Sequence, residues 1–172
     1  MKVKIVEVDS EQLFSAEIRE GEKKELPSLT AGWVFNFSKH SRAKGKRTFA
    51  LVKEDSPTII EGCMIFSMHE TLGAYMDYLE VAPHNLGSNG KHKKVAGCLI
   101  AYACGLSFKE AALRDKGILT FKAFGEDRES QKRLEELYRT KYKAIMNPWG
   151  YMEIHPDQSK ELIREYLNDK YE

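Results

Sequence analysis

Cysteine is scarce. Cys63, Cys98 and Cys104 are the only three among 172 residues, too few for a disulfide framework and without the C-x-x-C spacing of structural zinc. Proline is limited to five residues, and no segment is repetitive or of low complexity, which excludes collagen-like and linker-dominated chains. Neither sign of charge prevails: 27 Lys and Arg face 26 Asp and Glu, a net charge of +1. The chain is therefore not basic throughout, although a local basic site is compatible with that balance. The longest nearly apolar run, Val95 to Phe108, falls short of a membrane span and predicts a buried helix. The amino terminus, Met1-Lys2-Val3-Lys4-Ile5-Val6-Glu7, alternates charged and apolar residues and lacks the apolar stretch of a signal peptide. What is present, 42% hydrophobic and 31% charged residues, suits a soluble globular protein. The expectation is one domain over residues 1–172, cytoplasmic, with no membrane contact.

Periodicity orders the chain. Val3, Ile5 and Val6 to Val8 predict a first strand. A polar stretch follows to about residue 30, in which Leu13, Phe14 and Ile18 mark a short packed element. Ser28 or Thr30 is placed to cap a helix carrying Trp33, Val34, Phe35 and Phe37. Lys39 to Lys53 then holds cations and no acid. Three strands come next: Thr48 to Lys53, Thr58 to Met68 and Ala74 to Ala82. Their short turns make antiparallel pairing the economical connection. The Gly- and Lys-rich loop Asn85 to Lys94 leads into a helix from about Val95 to Ala112, then a strand at Ile118 to Phe124. An amphipathic helix from about Glu126 to Lys141 presents Leu134, Leu137 and Tyr138 on one face. Short strands at Lys143 to Met146 and Tyr151 to His155 precede a last helix, about Gln158 to Tyr171. This order predicts an α/β fold with a mixed sheet.

The most informative stretch runs from Ala74 to Ile100, a strand passing through a flexible loop directly into a helix start. Unpaired N–H groups and the helix dipole at such a start favour a phosphate. Lys91, Lys93 and Lys94 add charge there, and no acidic residue lies between Val81 and Lys109 to cancel it. Neither G-x-x-x-x-G-K-[ST] nor G-x-G-x-x-G is present. A basic surface loop before a core helix is the alternative reading.

Residues Leu79 to Ile100 resemble the acetyl-CoA-binding segment of the GNAT superfamily of N-acetyltransferases. Val81-Ala82-Pro83 matches that family's V-x-P step. Lys91-His92-Lys93-Lys94-Val95-Ala96 stands where the Arg/Gln-x-x-Gly-x-Gly/Ala loop wraps the CoA pyrophosphate, immediately before Gly97. Lys91 replaces Arg or Gln, and Lys94 replaces the first glycine. Gln131 to Tyr138 resembles the family's N-x-x-A-x-x-L-Y helix, with Leu137-Tyr138 matching and Gln131 standing for Asn. The resemblance covers roughly residues 45 to 155. It implies a GNAT-like mixed, mostly antiparallel central sheet of about six or seven strands flanked by helices.

The same resemblance implies an acetyl-CoA-dependent N-acetyltransferase that passes an acetyl group directly to a primary amine in a ternary complex, with acetyl-CoA as co-substrate. A small-molecule or peptide amine is the acceptor class. It places the pantetheine arm on the backbone near Leu79 and Val81, and CoA contacts at Lys91, His92, Lys93, Lys94, Val95, Ala96, Gly97 and Gln131. Tyr138 matches the tyrosine that protonates the departing thiolate, against a reading in which it only packs. Family bases lie on the strand of Val81. Strand parity puts Tyr75, Asp77, Leu79 and Val81 on one face and Met76, Tyr78 and Glu80 on the other, making Asp77 the first candidate base and Glu80 the second. An ion pair or a strand-edge charge is the alternative for each.

The histidines, His40, His69, His84, His92 and His155, lie one per loop or strand end without i,i+4 pairing, which predicts no metal site. Nothing places a base beside Cys98 or Cys104, which argues against a cysteine nucleophile. The lysine clusters lack interleaved aromatics, and on that ground nucleic acid is not expected as a partner. A homodimer is left open. The competing function is a catalytically degenerate GNAT-fold module that binds acyl-CoA or a protein partner.

Overall fold

A computed structural model describes residues 1–167. Its strands are β1 (Lys2–Glu7), β2 (Leu13–Glu20), β3 (Arg47–Lys53), β4 (Ser56–His69), β5 (Gly73–Val81), β6 (His92–Lys93), β7 (Leu119–Phe121), β8 (Ile145–Met146) and β9 (Met152–Ile154). Its helices are α1 (Phe37–His40), α2 (Val95–Glu110), α3 (Arg128–Tyr142) and α4 (Pro156–Leu167). One sheet runs in the order β6-β1-β2-β3-β4-β5-β7-β9-β8. Every pairing is antiparallel except β5 with β7. The mixed, mostly antiparallel α/β character is thus present, but the sheet has nine strands among the described residues rather than six or seven. The surplus comes from β6 and β8, two residues each. The loop before α2 runs along the free edge of β1 and pairs Val6 with Lys93, while β8 returns onto β9 as a hairpin.

The apolar run of α2 is buried on nearly all sides because the helix lies between the sheet and α4. Two glycines make that approach close. A Cβ at Gly62 would stand 2.6 Å from Val95, and one at Gly97 would stand 2.1 Å from the Tyr166 ring. Ile5, Ile18, Leu51, Met64, Phe66, Leu99 and Ile100 fill this face. The opposite face carries a smaller cluster of Leu26, Trp33, Phe37, Cys63, Ile65 and Ala82.

Several expectations change in detail. Leu13, Phe14 and Ile18 belong to β2. The helix expected through Trp33 to Phe37 is instead a 3-10 turn at Leu29–Ala31, stopped by Gly32 at φ 81°, followed by the single turn α1. Asn36, not Ser28 or Thr30, caps that turn, accepting from the Lys39 N–H at 3.0 Å. Strand β7 stops at Phe121, and residues 122–125 leave the sheet. On α3 the inward stripe is Leu134, Tyr138 and Tyr142, spaced by four. Leu137 turns away and is 46% exposed. The last helix begins at Pro156, and the part expected beyond Leu167, to Tyr171, lies outside the described residues. Among the described residues, no helix is long and apolar enough to cross a membrane.

Candidate functional site

Strands β5 and β7 pair only at Tyr75 with Thr120 and Met76 with Phe121. Beyond that point β5 continues to Val81 while the other chain departs, so the sheet opens into a wedge. A cavity of about 90 Å³ occupies it, walled by Met76 to Leu79 on one side, Lys122 and Phe124 on the other, Leu134 and Tyr138 from α3, and Phe35. Along the wedge, the edge of β5 facing β7 has no strand partner among the described residues. Its amides are free to meet an extended polar chain.

A bulge shapes this wall. Tyr78 pairs with Ile65 and Met76 with Phe66, which leaves Asp77 as an extra residue on β5. Strand alternation therefore slips by one. Met76, Leu79 and Val81 all face the α2 core, whereas Tyr78 faces the second cluster. Asp77 reaches Ser67 on that second side. The face shared by Asp77, Leu79 and Val81 in an unbroken strand does not exist.

Both carboxylates have partners. One Asp77 oxygen is ion-paired with the Lys46 ammonium, and the other accepts from the Ser67 hydroxyl at 2.6 Å. Glu80 accepts from the backbone N–H groups of Val34 and Phe35, at 2.7 and 2.9 Å. That bond fixes the segment that brings Phe35 to the cavity. The Gln131 amide is also committed. It accepts from Gly125 N–H at 2.8 Å and donates to the carbonyl of Ala123 at 2.7 Å, which fastens the chain leaving β7. Gln131 thus shapes the wedge wall through its neighbours.

Tyr138 sits at the bottom of the wedge, its ring 4.7 Å from Phe121 and 5.9 Å from Tyr142. Its hydroxyl has no hydrogen-bond partner among the described residues, and burial pushes its pKa up to about 12. The group stays protonated at neutral pH, the state a proton donor requires. Burial likewise raises the thiols of Cys98 and Cys104 to about 12 and that of Cys63 further. None of the three is an activated nucleophile.

The loop before α2 is only partly the open anion cradle the sequence suggests. Lys91 N–H donates to the carbonyl of His84 at 2.9 Å, and His92 N–H to the Asn85 side chain at 3.0 Å. Two of the expected donors are consumed internally, and the His92 ring points to Glu61 rather than outward. The helix start itself is free. No acidic residue lies in the first turn that opens at Val95, Ala96 and Gly97, and Lys91, Lys93 and Lys94 are exposed beside it. Lys94 has φ 70°, the left-handed conformation that a glycine there would take without strain, so the turn is kept although the glycine is absent.

Phe35, Lys46, Ser67, Lys122 and Phe124 were not expected at the site. Lys46 lay inside the basic run, but nothing in the spacing of the others marked them.

No protein-family model matches the chain, and no curated protein matches it in sequence. Solved structures do. A KacTA–DNA complex superposes with TM-score 0.58 at 12% identity, covering 87% of this chain and 99% of the other. AtaTR bound with AcCoA gives 0.55 at 13%, covering 86% and 97%. A chimera of the Vibrio cholerae spermidine N-acetyltransferase SpeG with hSSAT gives 0.52 at 15%, covering 84% and 97%. The chain has the fold of the GNAT-superfamily acetyltransferases. The same comparison corrects one expectation. A protein of this fold is seen in complex with DNA, so the fold gives no ground for setting nucleic acid aside. Phosphate contacts need cations rather than interleaved aromatics, and the aromatic count never bore on them.

Proposed function

We propose that the protein is an acetyl-CoA-dependent N-acetyltransferase acting on a primary amine by direct attack in a ternary complex. The observation that carries this reading is the wedge between β5 and β7, with the unpartnered Tyr138 hydroxyl at its base. The pantetheine arm lies along the unpaired edge of β5 at Leu79 and Val81. The pyrophosphate meets the start of α2 with Lys91, Lys93 and Lys94. AtaTR, which shares the fold, is bound with AcCoA, and that supports the choice of donor. The amine nitrogen attacks the thioester carbonyl carbon, the C–S bond breaks, and Tyr138 protonates the leaving thiolate. With both oxygens of Asp77 and of Glu80 already bonded, these residues position the site, and the amine proton leaves through water.

The same commitment of the carboxylates favours a second reading, a module that binds acyl-CoA without turnover. Calorimetric titration with acetyl-CoA and desulfo-CoA, followed by thiol release on a panel of amines, separates the two. Binding with turnover supports the enzyme, binding alone supports the module, and no binding sinks both.

A further inference from the structure

A second bulge places Glu61 where the proposed transfer has no use for it. Leu51 pairs with Gly62 and Val52 with Ile60, so Glu61 is the extra residue of β4. Its side chain is buried, and three nitrogens converge on the single oxygen Oε2: His84 Nε2 at 2.7 Å, Asn85 Nδ2 at 2.8 Å and His92 Nδ1 at 2.9 Å. Oε1 takes no bond from any of them. The two imidazole rings stand 6.4 Å apart between centroids, with their planes at 84°. His92 is only 9% exposed, and its other nitrogen, Nε2, has no partner among the described residues.

We propose that Glu61 Oε2, His84 Nε2 and His92 Nδ1 bind a divalent transition metal of the zinc class. The three ligand atoms already lie within 4.8 Å of one another. Ligands about 2.0–2.2 Å from a tetrahedral zinc are roughly 3.4 Å apart, so Glu61 withdraws by about 0.5–0.7 Å from each ring and the two imidazole nitrogens draw in to the same spacing. Two imidazoles and a carboxylate suit zinc better than the all-oxygen preference of calcium or magnesium. The fourth position opens to a cavity of about 330 Å³ that these residues share with Glu7 and Lys53, leaving room for a water. Asn85 supplies the outer support such sites need. Its amide donates to Glu61, and its carbonyl oxygen accepts the His92 N–H at 3.0 Å. The ion would tie β4 to both ends of the 84–92 loop, just before the start of α2. His84 and His92 stand alone in the sequence, and only the bulge brings Glu61 to them.

The test uses the full chain, dialysed against a chelator and titrated with ZnCl2 by calorimetry and with CoCl2 by visible absorbance, in the absence of acetyl-CoA. The result is thus independent of the acetyltransferase reading. Expected are one equivalent bound with micromolar or tighter affinity, cobalt d–d bands of four-coordination, and a higher Tm with zinc. His84→Gln, at a half-exposed position that should not disturb folding, is expected to weaken binding at least tenfold and to abolish the Tm rise. The proposal is overturned by failure of the parent to bind stoichiometrically. Equal affinity in His84→Gln, or a thiolate-to-cobalt charge-transfer band that puts the metal on cysteine, overturns it equally.

Discussion

Glu80 holds Val34 and Phe35 by their backbone, one N–H on each carboxylate oxygen, although they lie 46 and 45 positions away in the chain. The bond joins the strand that walls the wedge to the segment that carries Phe35 to its mouth. Glu80→Gln turns one acceptor into a donor facing an N–H. The unsatisfied pair should cost about 1–3 kcal/mol in urea unfolding. If Glu80 positions the acceptor, the KM for the amine rises while the affinity for acetyl-CoA holds. A fall in kcat alone, at unchanged stability, would return Glu80 to the role of base.

Lys94 separates geometry from charge. Its φ of 70° costs about 1 kcal/mol in a residue with a side chain. Lys94→Gly should therefore raise the unfolding free energy by about that amount. The variant also removes one of three cations beside the start of α2, and acetyl-CoA should bind it more weakly. Replacing Lys91, Lys93 and Lys94 together by Ala should weaken binding further and flatten its salt dependence. Unchanged affinity in the triple variant at physiological salt would remove the loop from the donor site.

Arg19 and Glu25 form a two-pronged pair at 2.5 and 2.8 Å, half-buried. The Arg19 hydrogen bonds hold the Glu25 pKa below its ordinary 4.5, against the opposing pull of burial. Because the folded-state pKa is the lower one, this stabilisation is complete above about 4.5 and is lost as pH falls through the folded value. Its size is about 1 kcal/mol. Urea midpoints at pH 7 and pH 3 should fall further apart in the parent than in Glu25→Gln. Equal pH dependence in the two would show the pair to be idle.

The extent of the longer elements was legible in the sequence. The run from Val95, the alternation in β3 to β5 and the amphipathic pattern of α3 all lie close to where periodicity puts them. What escaped is what a single extra residue does. A bulge has no residue signature here, so Asp77 read as in step with Leu79 and Val81, and nothing in the sequence singled out Glu61. Both belong to local networks that only the paired strands reveal. The aromatic run at Trp33 to Phe37 looked helical, yet Gly32 in the left-handed region ends the turn before it and the rings are needed against Cys63 and Ile65. Leu137 was placed inward with Tyr138, though neighbours on a helix diverge by about 100°.

Tyr138 is the sharpest test of the proposed chemistry. Its ring is 8% exposed and packed on Phe121, so Tyr138→Phe preserves the contacts and removes only the hydroxyl. That hydroxyl has no protein partner to lose among the described residues, and the Tm should not fall. If it donates to the departing thiolate, kcat drops by about 10²–10⁴-fold while acetyl-CoA affinity barely changes. The pKa of about 12 adds a second reading of the same residue. A raised pKa keeps the hydroxyl protonated as pH rises, so the parent's kcat should show no alkaline decline from Tyr138 below about pH 11. A Phe variant within about twofold of the parent in kcat would leave Tyr138 as a core residue and move the proton source to water.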